Sequence, residues 1–217
     1  MYIPDRFKNE DMAAVKDFIS HNGFGMLIHQ GNQKLQGTHV PMLLAKNEKG
    51  NDILTGHLSR ANPQWKCFKD NDKIMAIFTG PHCYISSSWY QKESVPTWNY
   101  IAVHIYGKIK IVEGEALIDD MRKLVDKYEK HSKDPVVLDK LSSKTMKMVN
   151  GVVGFQIEIT EIQAAFKLSQ NRDETDYENI IKELENLDDF NAKAIADEMK
   201  KKPMAGIKEK GKANNIK

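Results

Sequence analysis

The feature that most constrains this chain is the alternation between Ile101 and Ile111. Odd positions read Ile101, Val103, Ile105, Gly107, Ile109 and Ile111, with Tyr100, His104, Tyr106, Lys108 and Lys110 around and between them. Apolar residues at every second position bury one face of an extended chain, so this run is a strand with one side in a core. Gly107 interrupts the set, and glycine there predicts a bulge or a backbone pressed close against something else. Just upstream, Pro96, Thr97, Trp98 and Asn99 put a rigid turn, a hydroxyl, a flat aromatic and an amide at the mouth of the strand. Such a group suits a planar ligand, and it equally suits a well-packed loop.

The totals bound the class. A chain of 217 residues can bury a full core in one domain with a small appendage. Its 41% hydrophobic and 29% charged residues are ordinary for a globular protein, and a net charge of +2 points by itself to neither nucleic acid nor membrane. Cys67 and Cys83 are too few and too plainly spaced for a disulfide framework or a zinc site, which favours a reducing interior. MYIPDRFKNED lacks the basic-then-apolar layout of a signal peptide, and no apolar run approaches the roughly 20 residues of a membrane helix. The expectation is a cytoplasmic protein without a membrane partner.

Along the chain, Asn9 or Asp11 can cap a short helix whose Val15, Phe18 and Ile19 share a face, and Gly23 is available as a left-handed cap at its end. Phe24 to His29 and Leu35 to Leu44 read as strands joined around Gly31, Asn32 and Gln33. Pro41 predicts an edge or a bend in the second. Ile53 to Leu58 gives a third strand, and Ile74 to Phe78 a short buried one. Glu115 to Lys130 is helical, with Leu117, Met121, Leu124, Val125 and Tyr128 in one stripe. Asp134 and Pro135 open another helix to about Val149, on which Lys140, Lys144 and Lys147 form a basic face, usually no more than a solvated surface. The last strand alternates Phe155, Ile157 and Ile159 with polar residues. Asp173 to Leu187 is a helix, followed by an amphipathic segment with Phe190, Ile195 and Met199 on one side. From Lys200 onward lysine dominates, and a frayed tail is expected.

Two stretches are rich in ligand-binding chemistry. In His57-Leu58-Ser59-Arg60-Ala61-Asn62-Pro63, a hydroxyl, a guanidinium and a helix start capped by Asn62 lie within a few residues, a set that suits a phosphate or a capped surface turn. Lys167, Ser169, Gln170, Asn171 and Arg172 are denser in hydrogen-bonding groups than a plain connector needs. P-loop, Rossmann, G-x-S-x-G and local histidine metal patterns are all missing from the sequence.

Several blocks together resemble the PaiB-type proteins, a family of FMN-binding negative transcriptional regulators. They are MYIPDRF, FGMLIHQ with THVPMLL, GHLSRANPQW, GPHCYISSSWY, VPTWNYIAVHIYGKIKIVE and VVGFQIEITEIQAAFKLSQNR, in the family's order and reaching from Met1 to about Leu187. The resemblance implies an α+β, mainly β fold. This is an FMN-binding split β-barrel with flanking helices over 1–187, then a C-terminal amphipathic helix and lysine-rich tail over 188–217. It further implies a homodimer with FMN at the subunit interface. Carried across residue by residue, the phosphate meets Ser59 and Arg60 with His57 nearby. Thr38 and His39 run beside the flavin, Thr97, Trp98 and Asn99 lie near the ring, and Lys167, Ser169, Gln170 and Asn171 close the site. DNA enters as a partner through the family's regulatory role, with the basic face and the lysine tail as the only candidate contacts. Flavin-dependent oxidoreduction of a small molecule is the alternative function, with haem binding ranked after it.

Overall fold

The computed structural model describes residues 1–31 and 34–201. Two compact units make up the chain. The larger comprises Glu10–Thr79 and Val103–Gln163; the smaller comprises Met1–Asn9, Gly80–Ala102 and the chain from Ala164 onward. Six strands, β1 (Phe24–Gly31), β2 (Lys34–Lys46), β3 (Asp52–Ser59), β4 (Asp72–Ile85), β5 (Thr97–Val112) and β6 (Val152–Lys167), form a closed barrel in the order β1-β2-β3-β6-β5-β4. The division into units falls within β4, β5 and β6. β1 pairs antiparallel with β2 and β4, and β3 pairs antiparallel with β2 and β6. The mainly β expectation is met.

Alternation in β5 does what its sequence implies: Ile101, Val103, Ile105 and Ile109 are buried, while Lys108 and Lys110 are exposed. Gly107 answers to close approach. A Cβ there would stand 2.4 Å from the Glu158 carbonyl oxygen and 2.4 Å from Ile157 Cγ2. Gly56 plays a similar part on β3, where it pairs with Phe155 and its Cβ would lie 2.6 Å from the Phe155 ring. Pro41 sits where β2 changes neighbour, for it is the last residue registered with β1 and Met42 the first registered with β3. The missing N–H therefore falls at a transition in the ladder. The loop expected around Gly31 ends in a Gly31–Lys34 pair, with Asn32 and Gln33 outside the described residues.

Helix α1 (Met12–His21) starts at Asp11, whose carboxylate accepts from the Ala13 and Ala14 amides at 3.0 and 3.2 Å. Val15, Phe18 and Ile19 are its buried face, as expected. Its end corrects the sequence reading: Asn22 closes the helix onto the Phe18 carbonyl, and Gly23 is not in the left-handed region. Glycine is placed there by crowding, since a Cβ would lie 2.9 Å from the Met42 carbonyl oxygen. Helix α2 (Gly114–Glu129) buries Leu117.

Three further expectations are corrected. The helix expected from Asp134 to Val149 is broken into a 3-10 turn at Leu138–Lys140, the four-residue α3 (Ser143–Met146) and a second 3-10 turn at Lys147–Gly151. Among these pieces only Leu138 is buried, so no apolar stripe holds a long helix in place, and Ser142 starts a new turn by accepting from the Thr145 amide. Lys140, Lys144 and Lys147 are exposed but share no continuous helix face. The short strand at Ile74 to Phe78 is part of the fourteen-residue β4, which continues through Gly80 and Pro81 to Ile85. β6 likewise runs beyond the alternation of Phe155, Ile157 and Ile159 to Lys167, within the stretch read as a connector.

The C-terminal helices α4 (Glu174–Asn186) and α5 (Phe190–Lys201) pack together. Asp173 caps α4 through the Asp176 amide, and the buried residues are Asp176, Tyr177, Ile180 and Leu184 on α4 with Ala192, Ile195, Ala196 and Met199 on α5. Phe190, expected on that face, is 85% exposed because it stands at the first residue of α5, ahead of the buried stripe. Tyr177 Oη donates to the Met199 carbonyl at 2.9 Å, and burial pushes the phenol up to about 12. The hydroxyl therefore stays protonated and available as a donor. Tyr177→Phe should cost about 1–3 kcal/mol, because the Met199 carbonyl loses its partner in a buried place. Urea denaturation followed by far-UV circular dichroism checks this; an unshifted midpoint would mean that water replaces the bond. The lysine-rich tail beyond Lys201 lies outside the described residues.

Candidate functional site

Five of the sequence-derived residues come together in the smaller unit. Thr97, Asn99, Lys167, Ser169 and Asn171 line a cleft of about 230 Å3. Period-2 geometry explains the spacing on β5, since Thr97 and Asn99 face the same way. Lys167 ends β6 and donates from Nζ to Thr97 Oγ1. Ser169 and Asn99 are 2% and 0% exposed, and Ser169 Oγ donates to Asn99 Oδ1 at 3.0 Å. Ser169 holds φ at 62°, a left-handed conformation uncommon for serine, and this turns the chain just after β6. Asn99 Nδ2 is left with a weak acceptor, Met199 Sδ at 3.6 Å.

Two members of the same sequence groups stand apart from that cleft. Trp98, one residue out of phase with Thr97 and Asn99, points to the opposite face of β5. It is 51% exposed and lines a wider cleft of about 570 Å3 with His82, Tyr84 and Trp89. Its ring centroid is 6.0 Å from that of His82 and 6.2 Å from that of Tyr84. Trp98 is therefore a surface aromatic and not a core residue. Gln170 folds back on its own turn, accepting from the Leu168 amide at 2.8 Å and donating to the Phe166 carbonyl. Its part is to shape the turn that carries Ser169 and Asn171.

Two arginines join Lys167 in its cleft: Arg172, which belongs to the same polar stretch but not to the residues carried over from the family, and Arg6, which the sequence did not single out. Arg6 Cζ and Lys167 Nζ lie 5.2 and 5.8 Å from the centroid of the Phe7 ring. The Arg172 guanidinium stacks 3.7 Å over Tyr90 and donates to Ser94 Oγ at 3.1 Å. Burial, and then the charge of Arg6, push the Lys167 ammonium below its ordinary value. Among the described residues no carboxylate forms an ion pair with any of these three cations. The available signal was position: Arg6 lies within MYIPDRF and Arg172 within KLSQNR.

In the larger unit, the other sequence-derived residues are tied into local networks. Thr38 Oγ1 donates to Gln64 Oε1 at 2.5 Å and accepts from Asn62 Nδ2 at 2.9 Å. Asn62 caps the 3-10 turn at Pro63–Cys67, and buried Gln64 donates on to the Leu27 and Gln36 carbonyls. His39 is exposed and stacks on Phe24 with centroids 6.1 Å apart. His57 lies under α2 near Leu117, Asp120 and Met121, and burial lowers its pKa, which favours neutral imidazole. Ser59 is exposed at the end of β3, its Oγ accepting from the Ala61 amide at 3.3 Å. Arg60 is occupied: it donates to Glu113 Oε1 at 3.0 Å, to the Asn150 carbonyl at 2.9 Å and to the Val152 carbonyl at 3.1 Å.

A phosphorylated flavin asks for countercharge at one end and, around its ring, an apolar face with donors at the edge. Cations without carboxylate partners, hydroxyls and amides in one cleft meet the first demand. Ser59 and Arg60 stand together at the end of β3, with the guanidinium turned to Glu113 and to the Asn150 and Val152 carbonyls. The donor set fits the cofactor, which when bound supplies electron or hydride transfer through its ring.

Residues 1–161 match the family described as “Putative FMN-binding domain”. Protease synthase and sporulation protein PAI 2 of Bacillus subtilis (strain 168) is 44% identical over 203 residues, covering 93% of this chain and 98% of the relative. Among solved structures, the flavocytochrome Anf3 from Azotobacter vinelandii superposes with a TM-score of 0.55 at 15% identity, covering 79% of this chain and 75% of its own. The FAD and heme binding protein from Mycobacterium smegmatis gives a TM-score of 0.54 at 10% identity, covering 74% and 73%. The barrel and these matches together define a split-barrel protein of the flavin-binding class. The chain belongs to the FMN-binding family of PaiB type, and FMN is its cofactor.

Proposed function

We propose that this protein is an FMN-binding negative transcriptional regulator, cytoplasmic, acting as a homodimer with FMN at the subunit interface. The observation that carries the reading is the 44% identity, over nearly the whole of both chains, to a protein named for protease synthesis and sporulation. Thr38, His39, His57, Ser59 and Arg60 in the larger unit, and Thr97, Trp98, Asn99, Lys167, Ser169, Gln170 and Asn171 in the smaller, are the residues proposed to serve the cofactor. Direct reading of DNA gains no support from Lys140, Lys144 and Lys147, since their segment is not one helix. Regulation then runs through the flavin or a small molecule it senses. Among the described residues no helix is long and apolar enough to cross a membrane.

Purified protein should be yellow and release FMN on denaturation, and retardation of a promoter fragment with a steep loss of affinity as salt rises would show direct repression. No retardation at low salt, with FMN bound, would sink direct repression. A second reading, flavin-dependent oxidoreduction of a small molecule, is favoured by the wide cleft that His82, Tyr84, Trp89 and Trp98 open to solvent. Steady oxidation of NADH or NADPH with a small acceptor would select it. Arg60→Ala should weaken FMN about ten-fold while leaving riboflavin unchanged, because the loss falls on a charge-assisted bond to phosphate. Equal affinity of the variant and the parent for FMN would remove Arg60 from the phosphate site.

A further inference from the structure

Arg6, Lys167 and Arg172 come from three separate parts of the chain, and the fold of the smaller unit brings them to one cleft. Like charges gathered without a counterion repel one another and pay for desolvation, so such a cluster persists where a ligand supplies the missing charge. Lys167 is partly buried and held against Thr97. Arg172 is kept flat on Tyr90 and so is already ordered before any ligand arrives. The floor of the cleft is polar and buried, with Asn99 and Ser169 completing one hydrogen bond between them. Neither arginine figures among the residues drawn from the family resemblance.

We infer that this cleft is a phosphate-binding site in which Arg6, Lys167 and Arg172 supply the countercharge and Thr97 supplies a hydroxyl. A tetrahedral dianion has several acceptor oxygens facing different ways, which suits three cations approaching from different chain segments better than one planar carboxylate does. The phosphate reaches the cleft from one of two sources, the phosphate of FMN itself or that of a separate small phosphorylated ligand. The first source rests on the flavin reading above, and the second does not. Phosphate binding also relieves the penalty on the Lys167 ammonium, so occupancy raises the pKa of that amine and binding weakens as pH rises towards it.

The test uses full-length protein and three probes: FMN, riboflavin (the same ring without phosphate) and inorganic phosphate against chloride at matched ionic strength. Arg6→Gln alters an exposed side chain and keeps the fold at little risk, and Lys167→Gln probes the confined amine. If FMN affinity falls about ten-fold in each variant while riboflavin affinity stays put, the cleft holds the cofactor's phosphate. If neither flavin responds, but inorganic phosphate raises the melting temperature of the parent and not of the variants, the cleft holds the phosphate of a separate ligand. Two results overturn the inference. One is equal weakening of FMN and riboflavin, and the other is indifference of both flavins with the same phosphate shift, or none, in all proteins. A parent that fails to bind FMN overturns the flavin reading alone, and the inorganic phosphate measurement then decides the cleft by itself.

Discussion

Gly107→Ala is expected to destabilise the protein by about 3 kcal/mol or more, at or beyond the top of the usual cost of overpacking. The added methyl would stand 2.4 Å from the Glu158 carbonyl oxygen and 2.4 Å from Ile157 Cγ2. One of those atoms is backbone in β6, and it cannot swing away as the end of a flexible side chain could. Relief therefore requires β5 and β6 to separate, which strains ladder hydrogen bonds in the barrel. Urea denaturation followed by both intrinsic tryptophan fluorescence and far-UV circular dichroism checks this, since two compact units make a single probe insufficient. A midpoint within error of the parent's would show that the strands do not approach so closely.

Phe155→Ala should cost about 3–5 kcal/mol, the range for deleting a buried phenylalanine ring. Phe155 is fully buried on β6 and lies directly over Gly56, its registered partner on β3. With no side chain at Gly56 the ring fills the space, so its removal leaves a void that two hydrogen-bonded strands cannot close. A sharper form of the prediction uses both residues. Gly56→Ala alone meets the Phe155 ring at 2.6 Å and should destabilise, whereas in the Phe155→Ala background the same methyl enters the void and should cost far less. Additive effects in this double-mutant cycle would dismiss the packing account.

The elements legible in the sequence are those whose signal is local. Asp11 is found capping the helix it precedes, Asn62 caps its turn, and the alternation in β5 appears as alternating burial. The helix from Asp134 to Val149 failed for a reason the pattern does not contain: its apolar residues found almost nothing to bury against, and propensity alone does not sustain a helix of that length. β4 outruns the expected Ile74 to Phe78, since the chain continues extended through Gly80 and Pro81 to Ile85. Phe190 falls two residues before the buried face of α5 begins at Ala192.

By itself, then, the sequence determined the strand periods, the caps, the mainly β class and, through its ordered blocks, the flavin-binding family. Tertiary structure alone decided which chemistry meets which. It placed Arg6 and Arg172 beside Lys167, occupied Arg60 with Glu113, and sent Trp98 to a different cleft from Thr97 and Asn99. Periodicity and capping act between residues a few positions apart, so they are written in the chain. Convergence of charges from its distant parts depends on long-range packing, and two neighbours on a strand share a motif while facing opposite ways.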